Sequence, residues 1–165
     1  MISKAKVKWW KVNQEKIMKR KMITAIIWSI ILLIALLVFI GLYVDKSKEN
    51  EDKFKTQYKN CLADAAEEID TYLDRQIDYE MHYNMVISEL GSARSFLFLI
   101  DDDSEKMTEN QKTVNELHYC FVKYPQQMKS KLAEVSQAFK DVYDNLDKGY
   151  DEMQAVVDSV DKMGN

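Results

Sequence analysis

Lys19–Lys46, KRKMITAIIWSIILLIALLVFIGLYVDK, contains 22 consecutive uncharged residues, Ile23 to Val44, in which Thr24, Ser29 and Tyr43 are the only side chains with a marked polar character. At about 1.5 Å of rise per residue, a helix of that length reaches roughly 33 Å and crosses a hydrocarbon core of about 30 Å. A removable export signal has a shorter apolar core, about 7–15 residues, and ends in small residues of the A-x-A type. Here the run ends Val38-Phe39-Ile40-Gly41-Leu42-Tyr43-Val44, and no Cys adjoins it as a lipidation site. The stretch therefore reads as a retained signal anchor.

The flanks set an expected orientation. Residues 1–22 carry Lys4, Lys6, Lys8, Lys11, Lys16, Lys19, Arg20 and Lys21 against Glu15 alone, a balance of +7. Such an excess is held on the cytoplasmic side of a membrane. The 121 residues after Val44 hold 15 Lys and Arg against 26 Asp and Glu, a balance of −11, and are expected outside the cytoplasm. The chain thus divides into a basic juxtamembrane segment (1–22), a transmembrane helix (23–44) and an extracytoplasmic domain (45–165). Trp9 and Trp10, with Lys19, Arg20, Lys21 and Tyr43, are the expected membrane-interface anchors, since indole and phenol rings settle at headgroup level and cations are drawn to anionic lipid.

The third part reads as all-α. It contains only Gly91, Gly149, Gly164 and Pro125 as punctuation, too few for a turn-rich β fold. Phe54, Tyr58, Leu62, Ala65, Ile69, Leu73, Ile77, Met81, Ile87 and Leu90 recur mostly at three- and four-residue steps, which predicts a long helix from Lys46. The polar cluster DDDSE at 101–105 follows as a turn, with Thr108 and Gln111 as a capping box. Beyond it, Met107, Asn110, Val114, Leu117, Phe121, Tyr124, Met128, Leu132, Val135, Phe139, Val142, Leu146, Gly149, Met153, Val156, Val160 and Met163 form a coiled-coil-like seam with one phase slip, at Pro125. Two arrangements fit. One is an antiparallel hairpin of arms 46–100 and 105–162, kinked at Pro125 and paired with a second copy to complete a core. The other is a three-helix bundle turning at Gly91 and Pro125. The hairpin is preferred, because FVKYPQQM lacks the residues of a sharp turn.

Chemistry-bearing residues are sparse. Cys61 and Cys120 are the only thiols, expected where disulfides persist. They would bridge only if the fold brings their Cα atoms within about 7 Å. His82 and His118 have nearby carboxylates but no Glu-x-x-His pair, and DDDSEKMTENQK lacks the Gly and Glu of a calcium loop, so no metal site is expected. No nucleophile with a base and no phosphate-cradling loop is visible, so neither catalysis nor a cofactor or small-molecule substrate is expected. The acidic balance argues against nucleic acid. The run Phe96, Leu97, Phe98, Leu99 and Ile100 is apolar on every face and is expected to be a docking patch.

The expected function is a single-pass membrane protein of the cell envelope that acts through helix–helix association with itself or another protein. In architecture alone it resembles the small bitopic coiled-coil proteins of bacterial envelope and division assemblies. The alternatives are an extracytoplasmic sensory domain, whose ligand would sit in a polar pocket between helices, and an accessory subunit of a transport or secretion complex.

Overall fold

The computed structural model describes the backbone of residues 4–100, 102 and 104–162, with side chains from Gln14 onward. Every element among these residues is a helix: α1 (Lys4–Arg75), α2 (Tyr79–Leu97), α3 (Glu105–Lys123), α4 (Pro125–Lys129), α5 (Leu132–Asp144) and α6 (Tyr150–Ser159). The chain falls into two compact units, Met1–Lys48 and Glu49–Asn165.

In the first unit, α1 is long and apolar enough to cross a membrane. Its apolar residues point outward all round, with Leu32, Phe39 and Leu42 about two-thirds exposed and Ile23, Ile27 and Leu36 more than half. A helix apolar on every side needs an apolar surrounding on every side. Among the described residues of this unit nothing covers it.

The second unit begins where charge returns. Glu49–Lys53 and Glu51–Lys55 pair at one-turn spacing, at 2.6 and 2.5 Å, with the acid N-terminal, the favourable order on a helix. From Tyr58 onward one face of α1 enters the core through Tyr58, Leu62, Ala65 and Ile69. The chain then reverses at Gln76–Asp78. Gln76 and Asp78 both adopt positive φ, 56° and 54°, a conformation costing an L-residue roughly 1–2 kcal/mol. Packing holds it in place. Tyr72, Tyr79, Tyr83 and Phe121 stack in succession at centroid spacings of 5.1, 5.1 and 5.4 Å. Lys129 lies 4.4 Å above the Tyr79 ring, and the Tyr83 hydroxyl donates to the Phe121 carbonyl at 2.8 Å.

Contacts across the unit fix the directions. Glu68 meets His82 at 2.7 Å, so α2 runs antiparallel to the last part of α1. Arg94 donates to Asn115 and Tyr83 reaches Phe121, so α3 runs antiparallel to α2. Asp70 accepts from Ser136 and pairs with Lys140, while Lys59 sits over Tyr143, which sets α5 antiparallel to α1. Lys106–Asp147 and Thr113–Gln154 place α6 beside α3 and parallel to it.

This arrangement corrects both expected chain paths. The arm expected over 46–100 breaks at 76–78, and the arm expected over 105–162 breaks at Tyr124, Ser130–Lys131 and 145–149. Gly91 lies inside α2, and Pro125 opens α4 as its first residue, where a missing N–H costs nothing. Because the expected stripe of α1 ran through the break, its phase is lost there: Ile77 and Met81 are 60% and 51% exposed. The cap of α3 is also relocated. Ser104, not Thr108, accepts the Met107 N–H, and Gln111 instead donates to the Leu97 carbonyl at the end of α2. Most of the expected seam from Asn110 to Val160 is buried, including Val114, Phe121, Met128, Phe139, Met153 and Val156, and Met163 lies outside the described residues.

The core carries a pH dependence. Burial holds the Tyr58 hydroxyl well above its usual range, and the Tyr150 hydroxyl, 3.0 Å away, is pushed up to about 12 by burial against the opposing hydrogen bond from Tyr58. Burial, aided by Glu89 and Asp64, pushes the Cys61 thiol up to about 11, and burial raises Tyr83 and Cys120 as well. The folded state favours the protonated forms of all five. Their contribution is complete below about pH 8, before unfolded cysteine begins to ionise, and is lost progressively as pH climbs through the raised folded values, about 11 for Cys61 and about 12 for Tyr150. The urea midpoint of the compact unit is expected to fall by about 1 M or more between pH 7 and pH 11. An unchanged midpoint would contradict this packing of the tyrosines and thiols.

Candidate functional site

The sequence-selected residues do not converge. Lys19, Arg20, Lys21 and Tyr43 are exposed on the first unit, and the side chains of Trp9 and Trp10 lie outside the described residues. Cys61 and Cys120 are buried free thiols. Cys61 faces Glu89 on α2, whereas Cys120 sits near Tyr83, about two helical turns along α2, so the fold does not set them opposite one another. With raised pKa values both thiols are poor nucleophiles.

The apolar run of 96–100 is divided. Leu97 and Ile100 enter the core, Phe96 is half-buried against it, and only Phe98 and Leu99 remain open, at 55% and 54%. The helix persists to Leu97, so successive residues of the run point to different sides. His82 is occupied by Glu68, and His118 packs against Gly91, its pKa lowered by burial and secondarily by Arg94. In the acidic turn, Asp102 accepts the Ser104 N–H at 2.9 Å, which holds its carboxyl below the usual range; Asp101 and Asp103 lie outside the described residues. Among the described residues, no three of His, Cys, Asp and Glu are placed to hold a metal ion.

Two features stand out that periodicity did not single out. The first is the outward face of α2. Opposite its buried residues Tyr83, Val86, Leu90, Ala93 and Leu97, helical spacing aligns Met81, Asn84, Met85, Ser88, Ser92, Ser95 and, just past the helix, Leu99. None of these is charged. Ser92 and Ser95 donate their hydroxyls to the carbonyls of Ser88 and Gly91, so both side chains satisfy themselves on their own helix and turn carbon outward. The result is an uncharged strip on an acidic domain, with Met81, Met85 and Leu99 about half exposed. The serines at 88, 92 and 95, free of intervening charge on that face, were the available sequence signal.

The second is a polar cleft of about 350 Å³ between the start of α3, the end of α5, the 145–149 turn and the start of α6. Its walls include Lys106, Glu109 and Asn110 from α3, Asp141 from α5, and Asp147 to Glu152 from the turn and α6. Lys106 bridges to Asp147 at 2.6 Å, and Asp141 accepts from Gln137 at 2.9 Å. No sequence pattern announces this cleft, because four separate segments meet there.

Comparison with family models, with curated proteins and with solved structures gave no match.

Proposed function

We propose that the chain is a single-pass, membrane-anchored helical interaction protein. Residues 1–22 lie on the cytoplasmic side, Ile23–Val44 spans the bilayer, and the compact unit stands outside the cytoplasm. There its α2 strip pairs with the same strip of a second copy. The observation that carries this reading is the uncharged face of α2 on a domain whose balance is −11. Two such domains repel one another over most of their surfaces, and this strip is where they approach without opposing charge. The same surface meeting itself gives a closed two-fold pair. Anchoring both copies in one membrane raises their effective concentration.

Ser88 sits mid-strip and is exposed. In membranes carrying the full chain, Ser88→Cys is expected to form an oxidative dimer, while Cys at Asp151, on the exposed first turn of α6, gives none. Adding Met85→Glu sets like charges against each other and is expected to cut the dimer yield on the order of tenfold. A Ser88→Cys chain that stays monomeric, or crosslinks only to other proteins, would overturn pairing of copies. The sensory reading draws its support from the polar cleft between helices.

A further inference from the structure

We infer that the cleft between α3, α5 and α6 is a binding site for a small organic cation that carries hydroxyl groups beside its ammonium, the chemistry of an amino sugar. This inference stands apart from the pairing of copies through α2. The cleft, at about 350 Å³, falls within the range of small-molecule sites, about 300–1,000 Å³.

Its charge selects the sign of the ligand. Glu109, Asp141, Asp147, Asp151 and Glu152 line it, against Lys106 and Lys148. Lys106 is already held by Asp147, and Glu109, Asp151 and Glu152 have no ion-pair partner among the described residues. A cation entering here meets unneutralised carboxylates. It need not be a metal, because no three ligating side chains converge among the described residues.

Acids alone would make only a negatively charged recess, and Asn110 distinguishes this one. It is 8% exposed and lines the cleft, yet its carboxamide makes no side-chain hydrogen bond among the described residues. No fully enclosed polar side-chain atom among those residues goes without a partner, so the amide atoms of Asn110 are open to solvent, and the residue lines the cleft. A carboxamide offers one acceptor and two donors. A ligand group that both donates and accepts, as a hydroxyl does and an ammonium does not, can pair with both ends of that amide. The neighbouring Tyr150 hydroxyl is hydrogen-bonded to Tyr58, and Asn110 is the uncharged side chain of the cleft with no protein partner among the described residues.

Gly149 shapes the wall. It turns the chain at φ +82° between α5 and α6, and Asp147 and Lys148 before it and Asp151 and Glu152 after it all line the cleft.

The test is calorimetric titration of the full chain in lipid nanodiscs with glucosamine, at a pH low enough to keep its amine protonated. One saturable site per chain is expected. N-acetylglucosamine keeps the hydroxyls and loses the charge, and cyclohexylamine keeps the single charge and the ring size without hydroxyls; each is expected to bind at least tenfold more weakly. Asn110→Leu is expected to weaken glucosamine binding at least tenfold. Asn110→Asp preserves the shape, adds a charge and is expected to bind at least as tightly, provided each variant retains the near-ultraviolet circular dichroism of the parent. Absence of saturable binding, equal binding of cyclohexylamine, or an unaffected Asn110→Leu chain would overturn the proposal, and so would weakened binding by a folded Asn110→Asp chain.

Discussion

Gly149→Ala is expected to lower the stability of the compact unit by about 3 kcal/mol. Two costs add. Gly149 has φ +82°, and an L-residue there loses roughly 1–2 kcal/mol relative to its usual conformations. A methyl group built on it would also stand 2.3 Å from the Ala138 carbonyl oxygen and 2.8 Å from Val142 Cγ2. The carbonyl belongs to the backbone of α5 and cannot swing aside as a side chain would, so α5 and α6 must separate, at the 1–3 kcal/mol typical of overpacking. For a unit of this size the thermal midpoint is expected to fall on the order of 10 °C, followed by near-ultraviolet circular dichroism of the full chain in detergent. Gly91→Ala is the matched control. Gly91 lies within α2, where an added methyl meets His118 Nε2 at an ordinary 3.4 Å, so helix propensity favours alanine by up to about 1 kcal/mol. A similar loss in both variants would mean that the α5–α6 turn is not built as described.

The contrast between these glycines shows what the sequence made legible. Gly91 looked like a helix end because glycine is a common C-terminal cap, yet Val86, Leu90, Ala93 and Leu97 bury one continuous face through it, and tertiary packing overrides propensity. Gly149 looked like one more step in a regular seam. The turn chemistry was nevertheless present in Asn145, whose side chain accepts the Asp147 N–H at 2.9 Å, and the periodicity of the flanking residues masked it. Val114, Leu117, Phe121, Val135, Phe139 and Val156 were identifiable as core because spacing reports the buried face whether or not the helix is continuous. The break at Gln76–Asp78 had no such signal. It uses neither Gly nor Pro and is held by Tyr72, Tyr79 and Tyr83 stacking across the turn, a contact that exists only once the chain has reversed. The cleft was illegible for the same reason. Asn110 sits at a regular seam position, and only the meeting of α3 with the α5–α6 turn forms the cleft that it lines.

The second large effect concerns the bilayer, and its expected result is all-or-none. The 22 uncharged residues from Ile23 to Val44 can be satisfied on every side by lipid, whereas returning them to water exposes apolar surface at roughly 25 cal/mol per Å². Which end faces the cytoplasm then rests on the +7 balance of residues 1–22. Moving those cations across is unfavourable, so a mixed population is not expected.

Labelling of sealed cells with a membrane-impermeant maleimide tests this layout most directly. Lys16 and Lys129 are exposed in their respective units, and the native thiols Cys61 and Cys120 are buried, so the parent chain sets a low background. The expected result is that Lys129→Cys is labelled in intact cells and Lys16→Cys only after the membrane is opened. Labelling of Lys16→Cys in intact cells with protection of Lys129→Cys would contradict the account, and the pairing of acidic domains outside the cytoplasm would fall with it.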